Sequence, residues 1–355
     1  MNRSRIEWCD HTWNPISGCR HGCTYCYARR MAARFSGDIR LNLMAKGDYS
    51  IVPAADGGDG LYVLDALMMN ETGNPLAYPF GFAPTLHRYR MDTPGKLKKG
   101  NNIFVGSMSD IFGAYIPDEW IKEVFASCRQ YPIHNYLFLT KNPGRYVELY
   151  LKCLLPEYEN MWYGVTVTNY LQAHDAEETI RDMPSNAHVF LSIEPLWDNI
   201  YGALETVIGN FTDWVIIGAE TGHRKGKVTP EKIWVENIVE TCDEAGVPVF
   251  MKDSLIPVVG EGGMRRDFPE QLKNQKISPK MRKKIYGICA ECNAYMKKSD
   301  MITLLARSMR GEQPKQFGFM CKDCFMGFCK KLGLDIPELS GLECSIIVGE
   351  GEGNG

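Results

Sequence analysis

Residues 103–140 read IFVGSMSDIFGAYIPDEWIKEVFASCRQYPIHNYLFLT. Two short apolar runs, IFVGS (103–107) and YLFLT (136–140), bracket an amphipathic stretch, PDEWIKEVFASCRQ (117–130), that opens on Pro117, Asp118 and Glu119. Proline suits the first turn of a helix, and acids there complement its dipole. The order strand, helix, strand is a βα unit followed by its next strand. Downstream the pattern recurs: WYGVTV (162–167), HVFLSI (188–193), WVIIGA (214–219) and VPVFMK (247–252) are further apolar runs. TPEKIWVENIVETCDEAG (229–246) predicts another helix, stopped by Gly246. Strands apolar on both faces are covered by helices outside and packed inward, so the fold class predicted is α/β, a full or partial (β/α) barrel.

Working back from that unit, WNPIS (13–17) predicts a first short strand and Thr24–Phe35 a helix. Residues 37–100 have little periodicity and are rich in Gly, Pro and Asn, which predicts a loop-rich insertion within a domain spanning 1–255. A linker is expected over 256–284, a small cysteine-bearing module over 285–335, and an acidic, flexible tail over 336–355. No internal repeat is visible. No run approaches ~18 consecutive apolar residues. The N-terminus, MNRSRIEWCDHTW, has no apolar signal core. With 45% apolar and 23% charged residues, the composition excludes a membrane or disordered class and predicts a soluble cytoplasmic protein without membrane contacts.

Thirteen cysteines are many for a cytoplasmic chain, where thiols stay reduced, so clustered ones point to metal or cluster ligation. Cys9, Cys128, Cys153 and Cys242 stand singly and are expected as small buried residues. Cys19, Cys23 and Cys26 fall in GCRHGCTYCY (18–27), spaced C-x3-C-x2-C. Three thiolates leave one position of a metal or cluster open. Zinc closed by His21, Cys9 or His11 as a fourth ligand is the alternative reading of the same residues.

The triad, with Tyr25 immediately before its third cysteine and βα units after it, resembles the radical S-adenosylmethionine (SAM) superfamily. That resemblance implies a radical SAM-type barrel and a [4Fe-4S] cluster on Cys19, Cys23 and Cys26, with SAM on the fourth iron. It further implies reductive cleavage of SAM to a 5'-deoxyadenosyl radical that abstracts hydrogen from substrate, and an electron donor such as flavodoxin or ferredoxin. Where superfamily members hold the cofactor, this chain offers Gly106, Ser107, Ser109 and Asp110 in GSMSD, Thr166, Thr168 and Asn169 in TVTN, and Glu194 in SIEPL. GSMSD replaces the usual pair of glycines and a glutamate; Asp110 stands in for that glutamate or caps a helix. Lys141, Glu220 and Lys252 also end apolar runs, where a barrel carries its active site, and are the catalytic candidates. IEWCDHTWNPISGC, FVGSMSDIFG, FLTKNP, SIEPL and WVIIGAETG together resemble a phage-type family of three-cysteine radical SAM-like proteins, over about residues 5–270.

Near the C-terminus, Cys289 and Cys292 form one C-x2-C pair and Cys321 and Cys324 another, 28 residues on. Two such knuckles predict a structural Zn2+ site of the zinc-ribbon or treble-clef kind, with an auxiliary iron-sulfur cluster as the alternative and Cys329 as a spare thiol. From Lys280 to Lys331 twelve Lys or Arg oppose four Asp or Glu, against a whole-chain charge of −3, and aromatic residues are interleaved. That composition fits nucleic acid. Two functional readings remain: a radical enzyme acting on a nucleic-acid base or on a peptide or protein, or a non-catalytic nucleic-acid- or partner-binding protein that uses the zinc module.

Overall fold

Seven strands pair in parallel: β2 (His11–Trp13), β7 (Asn102–Val105), β8 (Asn135–Thr140), β9 (Met161–Thr166), β10 (His188–Ile193), β11 (Trp214–Ile217) and β12 (Val249–Met251). They stand in that order, and β1 (Asn2–Arg3) adds an antiparallel edge beyond β2. The computed structural model describes residues 2–222, 224–273, 286–288, 295–297, 301–307, 315–331 and 343–347. The chain divides into two units, Met1–Asn274 and Gln275–Gly355.

Helices α3 (Asp118–Gln130), α4 (Gly144–Leu151), α5 (Tyr170–Arg181), α6 (Glu205–Phe211) and α7 (Lys232–Ala245) lie between successive strands. α3 begins directly after Pro117, and α7 ends on Gly246 at φ 68°, the left-handed region that glycine enters without strain. Alternation splits every strand between two environments. Val105, Phe138, Tyr163, Leu191 and Ile217 join the helices in the larger core, whereas Phe104, Leu137, Trp162, Phe190, Trp214 and Phe250 form a second, aromatic core on the opposite face.

Trp8 shows that this second face is concave. Its ring centroid lies 4.7 Å from that of Phe104 on β7 and 6.3 Å from that of Trp214 on β11. In a flat sheet those strands, four spacings apart, would be separated by about 19 Å. The sheet therefore curls around Trp8. No pairing joins β12 to β2 among the described strands, so the barrel is partial.

WNPIS does not form a single strand. Proline lacks the N–H that a ladder needs, and the chain changes sheets across Asn14 and Pro15. β2 stays in the main sheet, while β3 (Ile16–Ser17) pairs with β6 (Thr85–His87) in a separate sheet ordered β3-β6-β5-β4, with β4 at Ser50–Val52 and β5 at Leu61–Leu64. The expected loop-rich insertion thus has a sheet of its own, and α2 (Ile39–Met44) beside it. The helix expected over Thr24–Phe35 is α1, Tyr27–Arg34.

The stretch expected as a linker from 256 packs, as far as Lys273, within the first unit. Leu272 is buried in the concave core, Phe268 lies 5.2 Å from Trp214, and the Trp214 indole donates to Asp267 O at 2.9 Å. In the second unit β13 (Tyr286–Ile288) pairs with β14 (Tyr295–Lys297). β15 (Met301–Arg307) lies between β16 (Lys315–Cys321) and β17 (Glu343–Ile347), and a helix covers Lys322–Lys331. β17 falls inside the stretch expected to be a flexible tail. Cys289 and Cys292 lie outside the described residues, as does the side chain of Cys321; Cys324 is half-buried and Cys329 buried. Cys128 and Cys242 are buried as expected, Cys9 only partly, and Cys153 is exposed at φ 55°. No helix among the described residues is long and apolar enough to cross a membrane.

Gly164 sits on the concave face between Trp162 and Thr166, where a Cβ would stand 2.2 Å from Phe190 Cζ and 2.7 Å from Phe138 O. Gly164→Ala is expected to cost about 1–3 kcal/mol, by overpacking, in a urea titration; an unchanged midpoint would mean that the concave core is loosely filled.

Candidate active site

Where the aromatic packing of the concave face stops, toward the carboxyl ends of the strands, a cavity of about 420 Å³ opens. Its wall takes Gly106, Ser107, Ser109 and Asp110 after β7, Lys141 after β8, Thr166 at the end of β9, Glu194 after β10, Glu220 after β11 and Lys252 after β12. Cys19, Cys23 and Cys26 complete it. Short polar side chains (Thr166, Ser192) succeed large aromatic ones along the same strand face, so strand alternation itself makes the floor apolar and the mouth polar.

The cysteine loop is seated by backbone first. Gly18 has φ +85°, and a Cβ there would stand 2.3 Å from Ala83 O. Gly18 N donates to Met108 O at 2.9 Å, and Cys19 N to Phe82 O at 3.3 Å. Cys26 is the N-cap of α1; its sulfur accepts from Arg29 N at 3.4 Å. Tyr27 pins the other side, its hydroxyl donating to Ser107 O at 2.6 Å.

Asp110 holds the loop from within. One carboxylate oxygen accepts from Phe112 N at 3.0 Å, the other from Lys141 N at 2.9 Å, and the Thr140 hydroxyl lies 2.8 and 3.0 Å from the two. His21 Nε2 lies 2.7 Å from Oδ2. Asp110 caps no helix; it fastens the ends of β7 and β8 to the cysteine loop. His21 is engaged there, and neither Cys9 nor His11 lines the cavity. Cys9 instead packs beside the concave core, where burial pushes its thiol up to about 11. Among the described residues no three His, Cys, Asp or Glu side chains converge tightly enough to hold a single metal ion.

On the far wall Glu194 and Lys252 form an ion pair that passes over Gly218, where a Cβ would stand 3.1 Å from Glu194 Cγ and 3.2 Å from Lys252 Cδ. Glu220 is buried and both its oxygens are taken. Arg224 donates from Nε and Nη2 at 2.6 and 2.8 Å, and the Trp197 indole donates at 2.9 Å. The Arg224 guanidinium, above all, holds this carboxyl below the usual carboxylate range. Trp197 in turn meets Tyr25 edge-on at 4.9 Å, and Lys141 Nζ lies 5.4 Å from the Tyr25 ring centroid. Burial pushes the Lys141 ammonium below its usual value, against the pull of Cys23 and Asp110.

Nine of the eleven non-cysteine candidates line the cavity; two lie outside it. Thr168 and Asn169 do not line the wall. Thr168 N and Oγ1 donate to Gln172 Oε1 at 2.9 and 2.8 Å, and Asn169 Oδ1 accepts from Gln172 N at 3.0 Å, which caps α5. TNYLQ (168–172) carries that signal, a polar N-cap with Gln three residues on. Sequence reasoning did not single out Arg5 and Arg30, which line the wall, or Trp197, which supports Tyr25. No local pattern distinguishes them.

A family model described as a protein of unknown function, DUF5131, matches residues 3–256. The chain belongs to the DUF5131 family. All the cavity residues named above fall inside the matched span, and the C-terminal cysteines fall outside it. No curated protein matches the sequence. Among solved structures, a spore photoproduct lyase mutant aligns at 10% identity with a TM-score of 0.41, covering 71% of this chain and 79% of that one.

Glu220 contributes stability that is fully present above its unfolded value, about 4.3, and is lost as pH falls through its lower folded value. Glu220→Gln should therefore melt below the wild type at neutral pH, with the gap closing as the pH is taken below about 4. A gap that stays constant into acid would assign the loss to packing rather than to the ionised pair.

Proposed function

We propose that this chain is a radical SAM enzyme whose [4Fe-4S] cluster is held by Cys19, Cys23 and Cys26. The observation behind the reading is that these three thiols, spaced C-x3-C-x2-C, line one cavity at the carboxyl ends of the parallel strands. When bound, the cluster and SAM supply reductive cleavage to a hydrogen-abstracting 5'-deoxyadenosyl radical. The motif resemblance to a phage-type radical SAM-like family belongs to the same reading.

The wall suits the cofactor. Ser109, in the wall, has a buried Oγ with no hydrogen-bond partner among the described residues. Gly106, at φ +80°, keeps the backbone bare there, since a Cβ would stand 3.1 Å from Ser109 Oγ. Ser107, Thr166 and the Glu194–Lys252 pair offer further polar contacts. Lys141 makes no ion pair or hydrogen bond through Nζ among the described residues, so it is the candidate to hold a carboxylate or move a proton. Asp110 and Glu220 act as positioning residues: the first holds His21, the second Trp197 and through it Tyr25. The substrate we favour is a nucleic-acid base, with a peptide or protein as the competing substrate within the same chemistry. An electron donor of the flavodoxin or ferredoxin kind would serve the cluster. Cys289, Cys292, Cys321 and Cys324 would hold Zn2+ in a structural module that also grips nucleic acid.

Anaerobic reconstitution tests this. The wild type should bind about four iron and four sulfide per chain and form 5'-deoxyadenosine from SAM under dithionite. Replacing Cys19, Cys23 and Cys26 with Ser should abolish both while zinc content persists. A triple variant that keeps its iron, or a wild type that forms no 5'-deoxyadenosine, would leave the non-catalytic binding reading in its place.

A further inference from the structure

The charged groups of the cavity do not balance. Each carboxylate in its wall is already engaged: Asp110 by His21 and backbone N–H groups, Glu194 by Lys252, Glu220 by Arg224. Arg5, Arg30 and Lys141 line the same wall and have no carboxylate partner among the described residues. Arg88, Arg145 and Arg265, by contrast, each reach an acidic oxygen at 3.1 Å or less. The wall and the helix that leaves it therefore carry cations beyond those that its carboxylates engage.

That helix is α1. It starts at the third cysteine and buries Ala28 and Ala32. Its outer side carries Tyr27, Met31 and Phe35, spaced four apart in one stripe, exposed by 49%, 42% and 46%. Arg30 and Arg34 form the adjacent stripe, and Arg29 lies over the ring of Phe82, a cavity residue, at 5.0 Å. Arg30 Nη2 also reaches across the mouth to within 3.7 Å of where a Cβ on Gly222, after β11, would stand. Between residues 27 and 41 Asp38 is the lone acid against four arginines.

We propose that this face is the docking track of a single-stranded nucleic acid, its phosphates on Arg5, Arg30 and Arg34 and its bases stacked on Tyr27 and Phe35, leading one nucleotide into the cavity. Charge selects a polyanion, and exposed aromatic rings interleaved with guanidinium groups are what a sequence-tolerant single strand needs. A cavity of about 420 Å³ that also takes a cluster and cofactor has room only for the reacting end of a substrate, so its bulk lies outside, along α1. An unpaired strand already exposes its bases, so delivery costs no base-pair opening. The proposal rests on the radical-enzyme reading for its purpose, but the residues of its binding site all belong to the first unit.

Fluorescence anisotropy of a labelled thymidine oligonucleotide, about 20 nucleotides long to exceed one site, on the full-length protein between ~50 and ~200 mM salt tests it. Arg30→Gln with Arg34→Gln should weaken binding about tenfold or more at low salt and reduce the slope of log affinity against log salt by about 1.4, or 0.7 per lost phosphate contact. Arg34→Lys should keep most of that contact, and a duplex of the same sequence should bind more weakly. Circular dichroism and melting confirm that the variants fold. Unchanged strand affinity in the double variant overturns the proposal, as does a double variant that instead slows cluster reduction by an acidic flavodoxin while strand binding holds. 5'-Deoxyadenosine formation without a strand reads the enzyme chemistry separately: its presence with no effect of the arginines on binding sinks the docking track alone. Its absence with arginine-dependent binding sinks the radical reading and leaves the track in place.

Discussion

The carboxylate of Asp110 joins parts of the chain that the backbone alone would leave independent. It accepts from the backbone N–H of Phe112 and Lys141, from Thr140 and from His21, so the end of β7, the end of β8 and the middle of the cysteine loop share one buried group. Such a saturated carboxylate is costly to unmake, because each donor would be left unpaired away from water. The cavity inherits its shape from this tie: Cys19 and Cys23 flank His21, and Lys141 lies next in chain to the β8 end that Asp110 holds.

A second support approaches from the opposite side. The chain Arg224, Glu220, Trp197, Tyr25 runs from the end of β11 to the residue before Cys26, through a bidentate ion pair, an indole hydrogen bond and an edge-on ring contact. The cysteine loop is held between these two systems, each reaching it from different strands. Around it the concave face changes from aromatic to polar within single strands, as in Trp162, Gly164 and Thr166 of β9, so one sheet face supplies both the packed floor and the open mouth.

The parallel strands were readable because both of their faces are buried, which makes each one a continuous apolar run; their limits shift by only a few residues in the structure. The small sheet of the insertion was not, because strands as short as Ser50–Val52 and Thr85–His87 leave no period to detect. Pro15 misled in its own way, dividing one apolar run between two sheets. Phe268 and Leu272 stand among polar residues and gave no sign that they fill the concave core. Of the polar strand ends, Lys141, Glu194, Glu220 and Lys252 all reach the wall, as barrel geometry requires. Thr168 and Asn169 do not, because the capping of α5 claims them.

By itself the sequence determined what is local: which runs are strands, where α3 and α7 begin and end, and that three thiols stand at short fixed spacing. Those properties depend on neighbours within a few residues, where spacing translates directly into geometry. Only the tertiary structure decided that His21 would meet Asp110 across 89 residues, that Glu194 would pair with Lys252 across 58, and that Arg5 and Arg30 would share a wall without an acid to balance them. Such meetings follow from the order and curl of the strands, and that order is set by the packing of whole faces around Trp8 rather than by any residue's own neighbours.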